Sequence, residues 1–376
     1  MIRESQMSRI KRCKTILPTG LALFAMLFGS GNLVFPLVTG QKSMGCYLYG
    51  MLGFLIPSVI MSLIAHIGVM TCKGNPRVYF SELPAWMYWF TATIVFCIVG
   101  PFFVIPRCAL TALGGVQEIY PQINGSLFSL FFCSLSFLLA IQGDNVVSIL
   151  GKYLTPLKLG GILFVILGAL YVLPNDALPF VDKSYAILEG IKDGYQPMDL
   201  LGTIFFSTMI YKFLEQQLIC ERGHVDTKEL HRRSILAGVI GFSFVAGIYI
   251  LLLFLGAKYA LYTEGLEKTL ILPRITSIAL GSYAALLIAF TLFFSTLATA
   301  VALFNVFTNF LVEDVLHNRM PRIAGLIFTL VVSYSISLIG FDAIIHFAGT
   351  YILSWLYPCI MAFVLFKVIK IQFGKS

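Results

Sequence analysis

Long apolar stretches alternate along this chain with short segments that collect its lysines, arginines, aspartates and glutamates. A helix needs about 20 apolar residues, at 1.5 Å each, to cross a hydrocarbon layer. Ten stretches come near or pass that length: 16–39, 45–71, 88–113, 125–142, 152–173, 197–212, 234–256, 276–311, 323–340 and 342–368. The eighth is longer than a bilayer requires, so tilt or projection beyond the membrane is expected of it. The connections are too short to build a separate domain. The pattern predicts an all-α polytopic membrane protein, a single transmembrane domain over 1–376.

Composition sharpens that reading. The chain is 58% hydrophobic and 12% charged, with a mean hydropathy of +0.89. No water-soluble core hides so much apolar surface. The net charge of +8 does not mark a nucleic-acid binder, because the bases lie between apolar runs as topology demands. The eight cysteines contain no Cys-x-x-Cys pair, so buried unpaired thiols are expected, with no disulfide framework or zinc site. The basic segment Arg3–Lys14 before an apolar run resembles a signal peptide. That run is too long, and it is interrupted before any convincing cleavage site, so an uncleaved first span is expected.

Eighteen of the 26 lysines and arginines fall on one side if the N-terminus is cytoplasmic, and six on the other. Both termini are therefore expected inside. Ten spans divide into two units of five, approximately 16–173 and 197–368. An odd-numbered unit repeated in tandem must be inverted across the membrane. Span 1 then corresponds to span 6, where Ser207-Thr208 interrupts the apolar run after Phe205-Phe206. The polar segment Pro174–Pro197 reads as a solvated loop or a partly helical lid over an outward entrance.

Span 1 contains Phe28-Gly29-Ser30-Gly31-Asn32, with Pro36 a turn later. Two readings fit. Small residues permit close helix crossing. Glycine, serine and asparagine before a proline also make a poor continuous helix, and unwound backbone at membrane depth survives only in protein or along a cavity. There, free N–H groups favour anions and free carbonyls favour cations.

Phe28-Gly-Ser-Gly-Asn-Leu-Val-Phe-Pro36 resembles the bacterial branched-chain amino acid:cation symporters, the LIV carrier family. So do Gly100-Pro-Phe-Phe-Val-Ile-Pro-Arg107, Leu154-Thr-Pro156, Gly194-Tyr, Met198-Asp199 and Leu356-Tyr-Pro358, in order along nearly the whole chain. The resemblance implies the leucine-transporter-like fold, a 5+5 inverted repeat with helices 1 and 6 broken at the substrate. It also implies uptake of leucine, isoleucine or valine, driven by a sodium or proton gradient. Departures are the end of the chain after span 10, where family members usually carry two further spans, Ser207 for a usual glycine, and Ala298 where a Thr-Thr pair is usual.

On that resemblance the substrate carboxylate meets the N–H groups of Gly29, Ser30, Gly31 and Asn32. The ammonium meets carbonyls at Phe205, Phe206, Ser207 and Thr208, and the phenylalanines line the apolar pocket or else pack against lipid and core. The superfamily's sodium site carries over to the carbonyls near Ala25 and Phe28, with Ser295 and Thr299. Ala298 offers no oxygen, and Lys158 in span 5 either snorkels to the cytoplasm or places its ammonium where sodium would sit. Arg107 either snorkels outward or pairs with Asp199 as an extracellular gate. His66 and His346 read as satisfied core histidines.

The sequence carries no Gly-x-x-x-x-Gly-Lys-Ser/Thr phosphate loop (Gly374-Lys375-Ser376 lacks the first glycine, position 369 being Ile), so ATP drive is not expected. A proton-coupled permease for other neutral amino acids is the alternative, and a channel or an intramembrane enzyme belongs to other classes. Neither a repeated charged ring nor a catalytic His/carboxylate pattern stands within the spans. The expected partners are a small amino acid and the lipid bilayer of a bacterial cytoplasmic membrane, without a cofactor beyond the coupling ion.

Overall fold

A computed structural model describes residues 16–142, 144–222 and 224–373; the side chains of 144–157, 221, 222, 282 and 371–373 fall outside that description. Arg3–Lys14, Cys13 and Lys375 therefore lie outside the described residues, as do the side chains of Lys152 and of Leu154-Thr155-Pro156.

The described chain is helical throughout and forms no strand. Its first span is two helices, α1 (Ile16–Leu27) and α2 (Ser30–Ser43), separated at Phe28 and Gly29. The chain turns at Met44 (φ 40°) into α3 (Tyr47–Leu55), which runs through a π-helical stretch at Ile56–Ile60 into α4 (Met61–Thr71). After the short α5 (Pro76–Tyr79) come α6 (Ala85–Cys97) and α7 (Val104–Gln117). These two are kinked apart at Gly100-Pro101, where proline supplies no N–H to the helix. Next follow α8 (Gly125–Ile141), α9 (Asp144–Tyr171), α10 (Lys183–Tyr195) and α11 (Asp199–Arg222). The chain continues with α12 (Thr227–Lys258), α13 (Ala260–Thr263), α14 (Ile271–Leu280) and α15 (Ser282–Asn309). It closes with α16 (Arg322–Ser337), α17 (Phe341–Phe347) and α18 (Ser354–Phe373). Among the described residues, five helical stretches are long and apolar enough to cross a membrane.

The centre of the bundle is α2, of which only Gln41 and Lys42 escape burial. Helix α12 lies along both halves of the broken span. A Cβ on Gly40 would stand 2.0 Å from the Leu253 carbonyl oxygen, and one on Gly256 would stand 2.2 Å from that of Leu37. Where α1 meets α12, a Cβ on Gly241 would stand 2.8 Å from the Gly20 carbonyl oxygen. Small residues thus let one continuous helix hold two that are not.

Three expectations are corrected. The long eighth stretch does not begin as one helix at residue 276: Gly281, at φ 80° and ψ 176°, separates α14 from α15, whose 28 residues alone exceed what a bilayer requires. That backbone conformation suits glycine and ends a helix. The helix through Ser207-Thr208 runs unbroken from Asp199 to Arg222, because hydroxyl side chains leave the backbone ladder intact. The interruption lies upstream, at 196–198, where Pro197 removes a donor and Met198 sits at φ 63°. The expected lid is α10, which is packed into the bundle. Its Gly190 and Gly194 are buried against α3, where a Cβ on Gly190 would stand 2.3 Å from the Gly50 carbonyl oxygen.

The other cysteines and histidines divide by position. Cys46, Cys108 and Cys133 are buried free thiols, whereas Cys220 and Cys359 are exposed. His66 is buried, with Nε2 donating to the Ser234 carbonyl at 3.0 Å and Nδ1 2.7 Å from the Ser207 hydroxyl, which leaves Nδ1 to accept. His346 is exposed and is not a core residue.

The α3–α10 contact supplies a test of this packing. A Cβ on Gly53 would lie 2.3 Å from the Ile187 carbonyl oxygen. Gly53→Val should destabilise the protein by about 1–3 kcal/mol, read as a lower unfolding midpoint in detergent. An unchanged midpoint would contradict so close an approach.

Candidate functional site

A broken helix in an apolar bundle exposes backbone groups that need partners, and these partners define the site. The Gly29 N–H donates to the Asn32 side-chain oxygen at 2.8 Å, so the asparagine caps the helix that it belongs to. The Asn32 amide then donates to Asp199 Oδ1 at 2.8 Å and also to the Tyr249 hydroxyl. Tyr249 completes the triangle by donating to Asp199 Oδ2 at 2.5 Å. All three side chains are buried, and they join α2, α11 and α12 at one point. The Phe28 carbonyl, left free by the break, accepts from the Lys158 ammonium, which also stands 5.3 Å from the Phe28 ring centroid.

The interruption at 196–198 lies against the break in helix 1. A Cβ on Gly31 would be 3.0 Å from Pro197 Cα and 3.5 Å from the Gln196 carbonyl oxygen. That carbonyl accepts from Arg107 Nη2 at 3.0 Å. The new helix start at Asp199 is supported from α18, where the Tyr357 hydroxyl accepts the Leu200 N–H at 3.1 Å. Gly349, in the π-helical stretch Ala348–Leu353, faces the Gln196 side chain; a Cβ there would be 2.4 Å from Nε2.

The structure gathers Phe28, Gly29, Ser30, Gly31, Asn32, Arg107, Lys158 and Asp199 around these two interruptions. Thr299 joins them from α15, its methyl 3.4 Å from a Cβ on Gly29. Ser295 lies one turn earlier, its carbonyl accepting from the Thr299 hydroxyl at 3.2 Å and its own hydroxyl buried without a partner. Ala25 is half-buried in the last turn of α1. Arg107 and Asp199 do not pair. Among the described residues Arg107 has no carboxylate within ion-pair distance, because Asn32 and Tyr249 hold Asp199 on another helix face.

Phe205, Phe206, Ser207 and Thr208 stand apart. At 1.5 Å per residue they lie roughly 9–14 Å along α11 from its start. Ser207 serves His66, and a ring of Phe206 packs over Gly202. The Phe205 ring lies 4.3 Å from that of Phe96, tilted by 47°, and with Thr208 it lines a cavity of about 760 Å³ that also takes in Lys73, Arg77, Lys212 and Phe310.

Sequence reasoning missed Gln196, Tyr249 and Tyr357. Gln196-Pro197 carried a signal, a proline beside Gly194-Tyr195, but the segment was assigned to a lid. Tyr249 is one tyrosine in an apolar run, and nothing local marks its hydroxyl as a cross-helix contact.

Of the oxygens expected to hold sodium, the Phe28 carbonyl is engaged by the Lys158 ammonium, and position 298 supplies none.

A broken first helix lying against a second interruption, inside a bundle of apolar helices, is the architecture of the leucine-transporter-like fold. The chain is similar to Mhp1, a nucleobase-cation-symport-1 family transporter, in its inward-facing conformation. The TM-score is 0.62 at 11% identity, covering 93% of this chain and 75% of that one. The chain belongs to the branched-chain amino acid transport protein family, whose family model matches residues 12–376. It is 29% identical to the branched-chain amino acid permease BrnQ of Bacillus subtilis, over 85% of this chain and 72% of that protein. It is 24% identical to the permease BrnQ of Corynebacterium glutamicum, over 95% of this chain and 81% of that one. These are transport proteins, not enzymes.

The Asn32–Asp199–Tyr249 triangle can be tested directly. Tyr249→Phe removes a hydroxyl that accepts from one partner and donates to the other. It should cost about 1–3 kcal/mol through the groups left unpaired, measured as a fall in thermal midpoint. No change in midpoint would mean that the triangle does not hold the helices together.

Proposed function

We propose that this chain is a secondary transporter that takes up leucine, isoleucine and valine across a bacterial cytoplasmic membrane in symport with protons. The observation that carries the reading is the family match over residues 12–376, falling on a chain whose first helix is broken at Phe28–Gly29. Ten spans in a 5+5 inverted arrangement follow if α1 with α2, and α10 with α11, are the two broken spans. The first unit then ends with α9 and the second begins with α10, both termini being cytoplasmic. The single domain over 1–376 stands with this reading.

An amino acid brings a carboxylate, an ammonium and an apolar tail. The first turn of α2 offers N–H groups that have no intrahelical acceptor, and an anion is favoured there. The carbonyls around Gln196–Met198 suit the ammonium, in place of those at Phe205–Thr208. One methylene in an apolar pocket is worth only about 1–3 kcal/mol, so all three branched side chains are accepted. The cavity beside Phe205 and Thr208, rimmed by Lys73, Arg77 and Lys212, is the passage to the cytoplasm.

Lys158 is the coupling element. Its contact with the Phe28 carbonyl gives the break the positive charge that a metal cation otherwise supplies, and a lysine alternately sheltered and wetted can take up and release a proton. Protein in liposomes should therefore accumulate labelled leucine from sodium-free buffer when the outside is acid, and Lys158→Ala should abolish that dependence. Uptake that requires sodium, or ignores the lysine, overturns proton coupling. Strong competition by unbranched neutral amino acids would favour the broader permease. Failure to take up any of the three substrates overturns transport itself.

Gly31→Leu would push a side chain into Arg107 and Pro197. It should abolish leucine uptake while the protein remains in the membrane. Normal uptake by this variant would move the substrate away from the break.

A further inference from the structure

At the junction of the two interruptions the guanidinium of Arg107 has no counter-charge among the described residues. Arg107 is 1% exposed, and its guanidinium carries five N–H donors. Nη2 donates to the Gln196 carbonyl at 3.0 Å, and the guanidinium carbon lies 5.0 Å from the Phe35 ring centroid. Nε and Nη1 are enclosed and donate to nothing. Burying a cation without a counter-charge is strongly unfavourable, and leaving its donors unpaired adds to the cost. A packing role does not call for a guanidinium, because an apolar side chain would fill the same space without that cost.

The position is as informative as the unmet valence. Nη2 lies 2.5 Å from where a Cβ on Gly31 would stand, on the first turn of α2. The neighbouring Cys108 donates from Sγ to the Ser30 hydroxyl at 3.6 Å, which fixes the register of α7 against that turn. The Phe35 ring and the Gln196 carbonyl hold the guanidinium plane before any ligand arrives. Arginine and the start of α2 therefore address one anion from two sides.

We propose that Arg107 receives the α-carboxylate of the transported amino acid, an assignment that rests on the amino-acid uptake reading. A carboxylate is planar, carries one negative charge and accepts two parallel N–H bonds from a guanidinium edge. It is also the anionic group that leucine, isoleucine and valine share. The arginine selects for the acid and leaves the choice of side chain to the apolar wall. Lysine, a point charge without the fork, is a poorer substitute.

The test is labelled-leucine uptake into liposomes by wild type, Arg107→Gln and Arg107→Lys at matched protein amounts, with leucinamide as competitor. Leucinamide keeps the ammonium and the tail but has no carboxylate. Arg107→Gln should raise the leucine KM by about 10- to 100-fold, in line with hydrogen bonds to a charged group. Leucinamide inhibition should change little, so the preference for leucine over leucinamide collapses. Arg107→Lys should recover part of both. Equal weakening towards leucine and leucinamide would mean a structural role and overturn the assignment, as would an unaltered leucine KM. Should Arg107→Gln fail to reach the membrane, Arg107→Lys decides by the same two readouts. Wild type that takes up no leucine overturns the uptake reading itself. Normal wild-type uptake with unaltered KM in the variants overturns the arginine assignment alone.

Discussion

Backbone polar groups released inside an apolar bundle must find partners there, and the arrangement of this protein depends on how Phe28 and Gly29 find theirs. The carbonyl of Phe28 is met from α9 by Lys158, and the N–H of Gly29 by Asn32 of the same segment. Asn32 has one amide group to spare, and it spends the hydrogens on Asp199 and Tyr249. A local break is thereby converted into long-range contacts that position α9, α11 and α12. Glycines on both helices complete the effect, since Gly40 of α2 and Gly256 of α12 bring the two backbones almost into contact.

Helices α2 and α10 behave as a unit for a related reason. Lys42 at the end of α2 donates to Glu189 at 2.9 Å and to Asp193 at 3.0 Å on α10, and Thr39 donates to Asp193 at 3.3 Å. Glycines on α3 and α10 allow those helices to pack with their backbones almost in contact. The opposite end is looser: a cavity separates α11 from the loop after α4, bridged at its rim by Arg77 and Asp314 at 3.7 Å. Partly exposed pairs of that kind contribute little to stability. The bundle is thus tied by ion pairs and close glycine contacts at one end and opened by a cavity at the other.

Charge at the centre follows a similar economy. Lys158 and Arg107 are both buried, and each meets a carbonyl and an aromatic face, Phe28 for the lysine and Gln196 with Phe35 for the arginine. The arginine keeps donors in hand. On the uptake reading proposed above, a zwitterion carries no net charge into such a site, and its carboxylate and ammonium engage the guanidinium and the free carbonyls at once.

Much of the fold was legible in the sequence. Apolar length and the distribution of lysine and arginine depend on the membrane, which acts on every residue in the same way, so spans can be read one at a time. That the first span breaks was legible because glycine, asparagine and a following proline weaken a helix locally, although the break falls at Phe28–Gly29 and Ser30–Asn32 already belong to α2. The second interruption was not, since Gln196-Pro197-Met198 follows a polar stretch and only the burial of Gly190 and Gly194 makes α10 part of the bundle. Nor did the sequence separate α14 from α15, because a glycine becomes a helix end only when its backbone adopts a positive φ. The partners of Asp199 and Arg107 were beyond it for a similar reason. Which carboxylate meets which donor depends on rotation about helix axes and on registers between segments distant in sequence. Those quantities arise only when the helices pack, and tertiary structure alone decided them.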